Sequence, residues 1–114
     1  MVQKIALEEH FLCPGFEEYW KGTVGDVDPK ILARVVAALS DFGELRLKSM
    51  DAAGIERAVL SIAGPGVQAE PDARIATRRA RDANDFLARE IQRRANRYCG
   101  FAHLPMQDAA AAAS

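Results

Sequence analysis

The chain has 114 residues, of which 49% are hydrophobic and 27% charged, and a formal net charge of -1. That is room for one modest domain, and so balanced a charge gives no electrostatic case for binding nucleic acid. No apolar run approaches the ~20 residues of a membrane span, and the N-terminus lacks the pattern of a secretory signal.

The first predicted element is a strand, Lys4 to His10. Side chains alternate along a strand, so Ile5 and Leu7 point one way and Ala6, Glu8 and His10 the other. Glu8 and His10 then stand roughly 6–7 Å apart on one face. A carboxylate and an imidazole so placed can ligate Zn²⁺ or Mn²⁺; the plain alternative is a strand end turning polar as it meets solvent. Glu9 faces the other way, towards the scaffold. The only cysteines, Cys13 and Cys99, fit reduced cytoplasmic thiols rather than a disulfide framework. Cys13 lies near His10 and could offer a thiolate, or be an ordinary loop cysteine.

Leu12 to Gly25 reads as irregular, broken by Pro14, Gly15, Gly22 and Gly25. Its aromatics, Phe16, Tyr19 and Trp20, either line a pocket or pack as a lid on their own scaffold. Asp28-Pro29 is a helix start, followed by Ile31, Leu32, Val35, Val36 and Leu39 at helical spacing. A second helix runs from about Glu44 to Ala53, stopped by Gly54. Strand two, Arg57 to Ile62, is short and apolar, as a buried parallel strand should be. The loop Ala63-Gly64-Pro65-Gly66-Val67-Gln68 is glycine-rich but lacks either phosphate-binding pattern; it turns sharply or passes close to a ligand.

The longest helix spans Asp72 to about Ala95, with Ile75, Ala76, Ala80, Ala83, Phe86, Leu87 and Ile91 on its buried stripe. Its many arginines alternate with Asp82, Asp85 and Glu90, which indicates a solvated face with an Arg81–Asp85 pair. Strand three is expected over Tyr98 to Leu104. His103 at its end is either a third metal ligand or a pocket-lining, hydrogen-bonded histidine. Asp108 and the alanines after it read as a helix just beginning, so the chain is expected to be a truncated domain. The other possibility is a complete small module ending in a frayed helix. Strands separated by helices predict a parallel α/β sheet.

Ala6-Leu7-Glu8-Glu9-His10-Phe11 resembles the opening strand of the amidohydrolase superfamily, in the Glu-x-His branch containing γ-resorcylate and 2,3-dihydroxybenzoate decarboxylases. Arg46 to Asp51 with Gly54-Ile55-Glu56, Leu60-Ser61 through Ala69, Ala83 to Ala88 and Phe101 to Pro105 fit the same branch in the same order. The likeness covers nearly the whole chain and is loosest between Leu12 and Gly43. It implies that residues 1–114 are the first three or so β/α units of a (β/α)₈ TIM barrel, a fold of about 250 residues. It also implies one divalent metal held by Glu8 and His10, with a histidine and an aspartate from later strands outside this chain. The implied activity is non-oxidative decarboxylation of a hydroxybenzoate by a cytoplasmic enzyme, often a homo-oligomer, acting on a small aromatic acid. The later aspartate would be the general acid. Tyr19, Trp20, Ala63, Gly64, Pro65 and His103 are the candidate pocket residues. Relatives often carry a polar side chain where this chain has Ala63. The alternatives are a metal-dependent hydrolase on the same fold and a non-catalytic α/β module with no metal.

Overall fold

The start and stop signals of the helices act where the sequence places them. In the computed structural model, which describes residues 2–114, the order is β1 (Lys4–Phe11), α1 (Glu17–Trp20), α2 (Pro29–Ser40), α3 (Glu44–Ala53), β2 (Ile55–Ile62), α4 (Ala73–Arg93), β3 (Tyr98–Gly100) and α5 (Ala109–Ala113). The Asp28 carboxylate accepts the backbone N–H of Lys30 at 2.8 Å and of Ile31 at 3.4 Å, capping α2. Gly54 takes a left-handed φ of 68° and closes α3. Asp72 caps α4 through the N–H groups of Ile75 and Arg74, which hold its carboxyl below the usual carboxylate range. The short helix α1 falls in the stretch read as irregular; its four residues carry too little periodicity to be seen in sequence.

The strands form one parallel sheet in the order β1-β2-β3. Ala58 and Leu60 of β2, Phe11 of β1 and Tyr98 of β3 are buried with Met50 of α3 and Ala76, Ala80, Ala83 and Leu87 of α4. Phe11, Phe42, Phe86 and Tyr98 make an aromatic cluster, with centroids from 5.6 Å (Phe42–Phe86) to 6.3 Å (Phe11–Phe86). The Tyr98 hydroxyl donates to the Phe42 carbonyl at 2.6 Å, and burial raises its pKa. The other face of the sheet is bare: Ile5 is 58% and Leu7 68% exposed.

Three details depart from the sequence reading. β3 pairs only over Tyr98–Gly100, although the Phe101 N–H still donates to Leu60 O at 2.9 Å. Beyond that point the chain runs on to Pro105 without a ladder. Glu90 is buried rather than solvated, because Arg93 at 2.7 Å and Arg94 at 2.9 Å bind its two oxygens. Arg81 and Asp85 are both exposed and, among the described residues, make no ion pair with each other.

Candidate metal centre

The geometry of the Glu8–His10 pair is set by a bulge. Ala6 is the register partner of Ala58 and Glu9 that of Leu60, so three steps along β1 match two along β2. Ala58 and Leu60 are buried under the helices, so Ala6 and Glu9 face the helices as well. Leu7 and Glu8 share the extra step. Glu8 and His10, flanking Glu9, therefore lie on the bare face beside Ile5 and Leu7. This corrects the simple alternation: Ala6 does not share a face with Glu8 and His10 but lies against Met50, Ile55 and Ala58. Glu9 is half-buried in the same hollow beside Arg46 and Ser49, facing away from the pair as expected.

Two neighbours hold His10. Ser61 is its register partner, with Nδ1 and Oγ 3.1 Å apart. Arg46 reaches back from α3, its Nη2 donating to the His10 carbonyl at 2.7 Å and to Leu39 O at 3.3 Å and Ala38 O at 3.4 Å. Its Nε donates to Asp41 O at 2.8 Å, and the guanidinium lies 5.7 Å from the Phe42 ring centroid. Burial lowers its pKa, and five donors on a fixed fork keep it bound where a lysine could not reach all four carbonyls. Sequence reasoning saw Arg46 only as a letter of a matching segment. The available signal was a cation beside Leu45 and Leu47 on a helix that must pack.

His103 is committed elsewhere. Its Nε2 accepts the Val67 N–H at 3.0 Å, while its backbone N–H donates to Asn84 Oδ1 at 2.7 Å and its carbonyl accepts from Asn84 Nδ2 at 3.0 Å. Gly66, at φ +57°, is needed there, since a Cβ would stand 2.5 Å from His103 Nε2. His103 thus ties the loop after β2 to the end of β3, the hydrogen-bonded alternative of the two readings. Gln68 and Gln107 add ties, to Leu104 O at 2.7 Å and to Glu70 O at 2.7 Å. Within this loop Ala63 is buried and Gly64–Pro65 is cis.

Burial pushes the His103 pKa below its ordinary 6.5. The folded chain therefore binds this proton less readily than the unfolded one. Its contribution to stability is complete above 6.5 and is lost as pH falls through the lowered folded value. Urea midpoints should drop across that window in the parent chain and less so in His103→Gln. Equal slopes in the two would show that another group governs the acid limb.

Tyr19 donates to Glu70 Oε2 at 3.0 Å, with the Arg79 guanidinium 5.8 Å from its ring centroid and Phe16 edge-on at 5.4 Å. Burial, then the bond to Glu70, raises its pKa. Trp20 packs against the core cluster. Cys13 is buried and its pKa is pushed up to about 11, first by burial and then by Glu17, which keeps it a thiol in the metal-free chain.

Among the described residues no three His, Cys, Asp or Glu side chains converge on one point. Glu8 and His10 supply two donors, an oxygen and an imidazole nitrogen, both exposed at the carboxyl end of β1. That donor set suits a divalent ion that completes its shell from elsewhere. Parallel strands in sequence order with helices on one face make up the opening of a (β/α) barrel, and the acid–histidine pair stands at the carboxyl end of its first strand.

Comparison with known proteins agrees. The chain is 46% identical over 112 residues to γ-resorcylate decarboxylase of Rhizobium radiobacter, covering 98% of this chain and 33% of that one. It superposes on the crystal structure of 2,6-dihydroxybenzoate decarboxylase from Rhizobium with a TM-score of 0.87 at 44% identity, over 98% of this chain and 33% of that one. A dihydroxybenzoic acid decarboxylase from a Polaromonas strain, solved with bound manganese and the inhibitor 2-nitroresorcinol, gives 0.88 at 43% identity, over 99% and 33%. No family model matches the chain. The chain spans about a third of the length of the curated relatives it matches, and it resembles their N-terminal part. The three parallel strands are the α/β fold expected from sequence.

Proposed function

We propose that residues 1–114 form the first three β/α units of a barrel enzyme that decarboxylates a hydroxybenzoate-type acid without oxidation. Glu8 and His10 are two ligands of its single divalent ion, Mn²⁺ or Zn²⁺. The observation that carries this is the bulge that turns both side chains onto the helix-free face, in a chain matching a manganese-bound decarboxylase. When bound, the ion supplies a Lewis acid for the carboxylate and the neighbouring phenol oxygen of the acid.

The remaining roles belong to the chain itself. Glu8 brings negative charge to the mouth, and His10 a neutral donor held by Arg46 and Ser61. Ile5 and Leu7 form an apolar floor beneath them, covered by later strands, which also bring the remaining ligands and the proton donor. Ala63, Gly64 and Pro65 form one rim, secured by His103 through Val67, while Tyr19 and Trp20 brace the neighbouring segment from behind. The substrate is a small aromatic carboxylate, and the whole enzyme a cytoplasmic homo-oligomer without nucleic-acid or membrane partners. Among the described residues no helix is long and apolar enough to cross a membrane. A hydrolase on the same scaffold is less favoured, because the relatives at 43–46% identity are decarboxylases.

Adding substoichiometric Mn²⁺ to the ¹⁵N-labelled chain tests the site. Paramagnetic broadening should centre on Glu8, His10 and Ser61. Broadening centred elsewhere, or spread evenly over acidic residues, would remove the metal assignment. CO₂ release from 2,6-dihydroxybenzoate by the enzyme with its later strands tests the reaction, and ester hydrolysis without CO₂ release would select the hydrolase.

A further inference from the structure

Ser61 is the anomaly of β2. It is a hydroxyl in the apolar run Ala58-Val59-Leu60-Ser61-Ile62, half-buried on the face without helices. His10 Nδ1 is the partner that the structure gives this hydroxyl. We infer that Ser61 is a positioning residue that selects the tautomer of His10. Its Oγ accepts the Nδ1–H and leaves the Nε2 lone pair directed away from β2. The inference rests on the reading of Glu8 and His10 as metal ligands.

Three observations carry it. The two residues are register partners on adjacent strands, so strand pairing places their side chains side by side. The 3.1 Å separation lies within the range of an N–H···O hydrogen bond. The His10 carbonyl is pinned by Arg46 at 2.7 Å, so backbone and ring are held from opposite sides. The consequence is chemical. Neutral histidine in water favours the proton on Nε2, which closes that nitrogen to a metal. A hydrogen bond from Nδ1 reverses the preference and fixes the ring plane. The lone pair is then ready before an ion arrives.

The test uses the 114-residue chain, ¹⁵N-labelled at histidine, at about pH 8, where imidazole is neutral. Long-range ¹H–¹⁵N spectra should show His10 protonated at Nδ1. Ser61→Ala should move it towards the Nε2–H form and weaken Mn²⁺ binding about 10- to 100-fold, read from the concentration dependence of broadening at Glu8 and His10. Ser61→Thr, which restores a hydroxyl in a strand-compatible side chain, should recover both. An Nε2–H tautomer in the parent chain overturns the inference, even if Mn²⁺ binds at the pair. So does a Ser61→Ala spectrum identical to the parent's. If Mn²⁺ leaves Glu8 and His10 untouched, the metal reading fails, and the tautomer still decides whether Ser61 orients the ring.

Discussion

Glu8→Ala or His10→Ala, made in the enzyme with its later strands, is expected to remove both the metal and the turnover. On the proposed ligand assignment each change deletes a donor to the ion, and the partner strand offers no replacement: β2 presents Val59 and Ser61 on that face. In the 114-residue chain, where both side chains are exposed, the same changes should barely alter folding, since substitutions at such positions cost within about 0.5 kcal/mol. Glu9→Gln supplies the contrast. Its side chain faces α3, so most of the metal should remain. Elemental analysis of purified variants, CO₂ release and urea unfolding together separate the two effects. A His10→Ala variant with full metal and full activity would reduce β1 to scaffold.

Arg46→Met should act in the opposite proportion, through stability first. The guanidinium donates to carbonyls of β1, of the end of α2 and of the turn before α3: His10, Ala38, Leu39 and Asp41. Methionine fills similar space against Phe42 but donates nothing, and the carbonyls lose a charged donor. Hydrogen bonds to charged groups contribute about 1.5–3 kcal/mol each, and several here are long or share one nitrogen. A total loss of about 2–4 kcal/mol is therefore expected in urea unfolding. Arg46→Lys should recover only part of it, since one ammonium cannot span the same acceptors. Metal affinity should fall with the loss of order at His10. An unchanged unfolding midpoint in Arg46→Met would mean that these bonds carry no net stability.

What the sequence discloses and what it withholds follow the range of the interaction responsible. The bounds of α3 were legible because Gly54 stops the helix locally, and α2 because Asp28 and Pro29 start it. The parallel order of the strands followed from helices lying between them. The bulge was not legible. It exists only in the register of β1 against a strand some fifty residues away, and periodicity within β1 alone gives plain alternation. The shared face of Glu8 and His10 survived this error; the placement of Ala6 with them, and of Ile5 and Leu7 opposite them, did not. Glu90 was misread for a similar reason: charge suggests solvent, and only the arrangement of Arg93 and Arg94 explains its burial. His103 shows a further limit, because its commitment to the Val67 amide depends on how two loops meet.

The extra residue in β1 also bears on how such a strand can change over generations. With plain pairing, keeping Ala6 beneath the helices would carry Glu8 and His10 there too, since all three are of one parity. The bulge lets a single strand serve two masters, a packed interior at Ala6 and a polar mouth at Glu8 and His10. Losing Leu7 would leave Ala6 inward and Glu8 and His10 outward, now with unbroken alternation. A one-residue deletion at this point, ordinarily ruinous in a strand, would here be survivable.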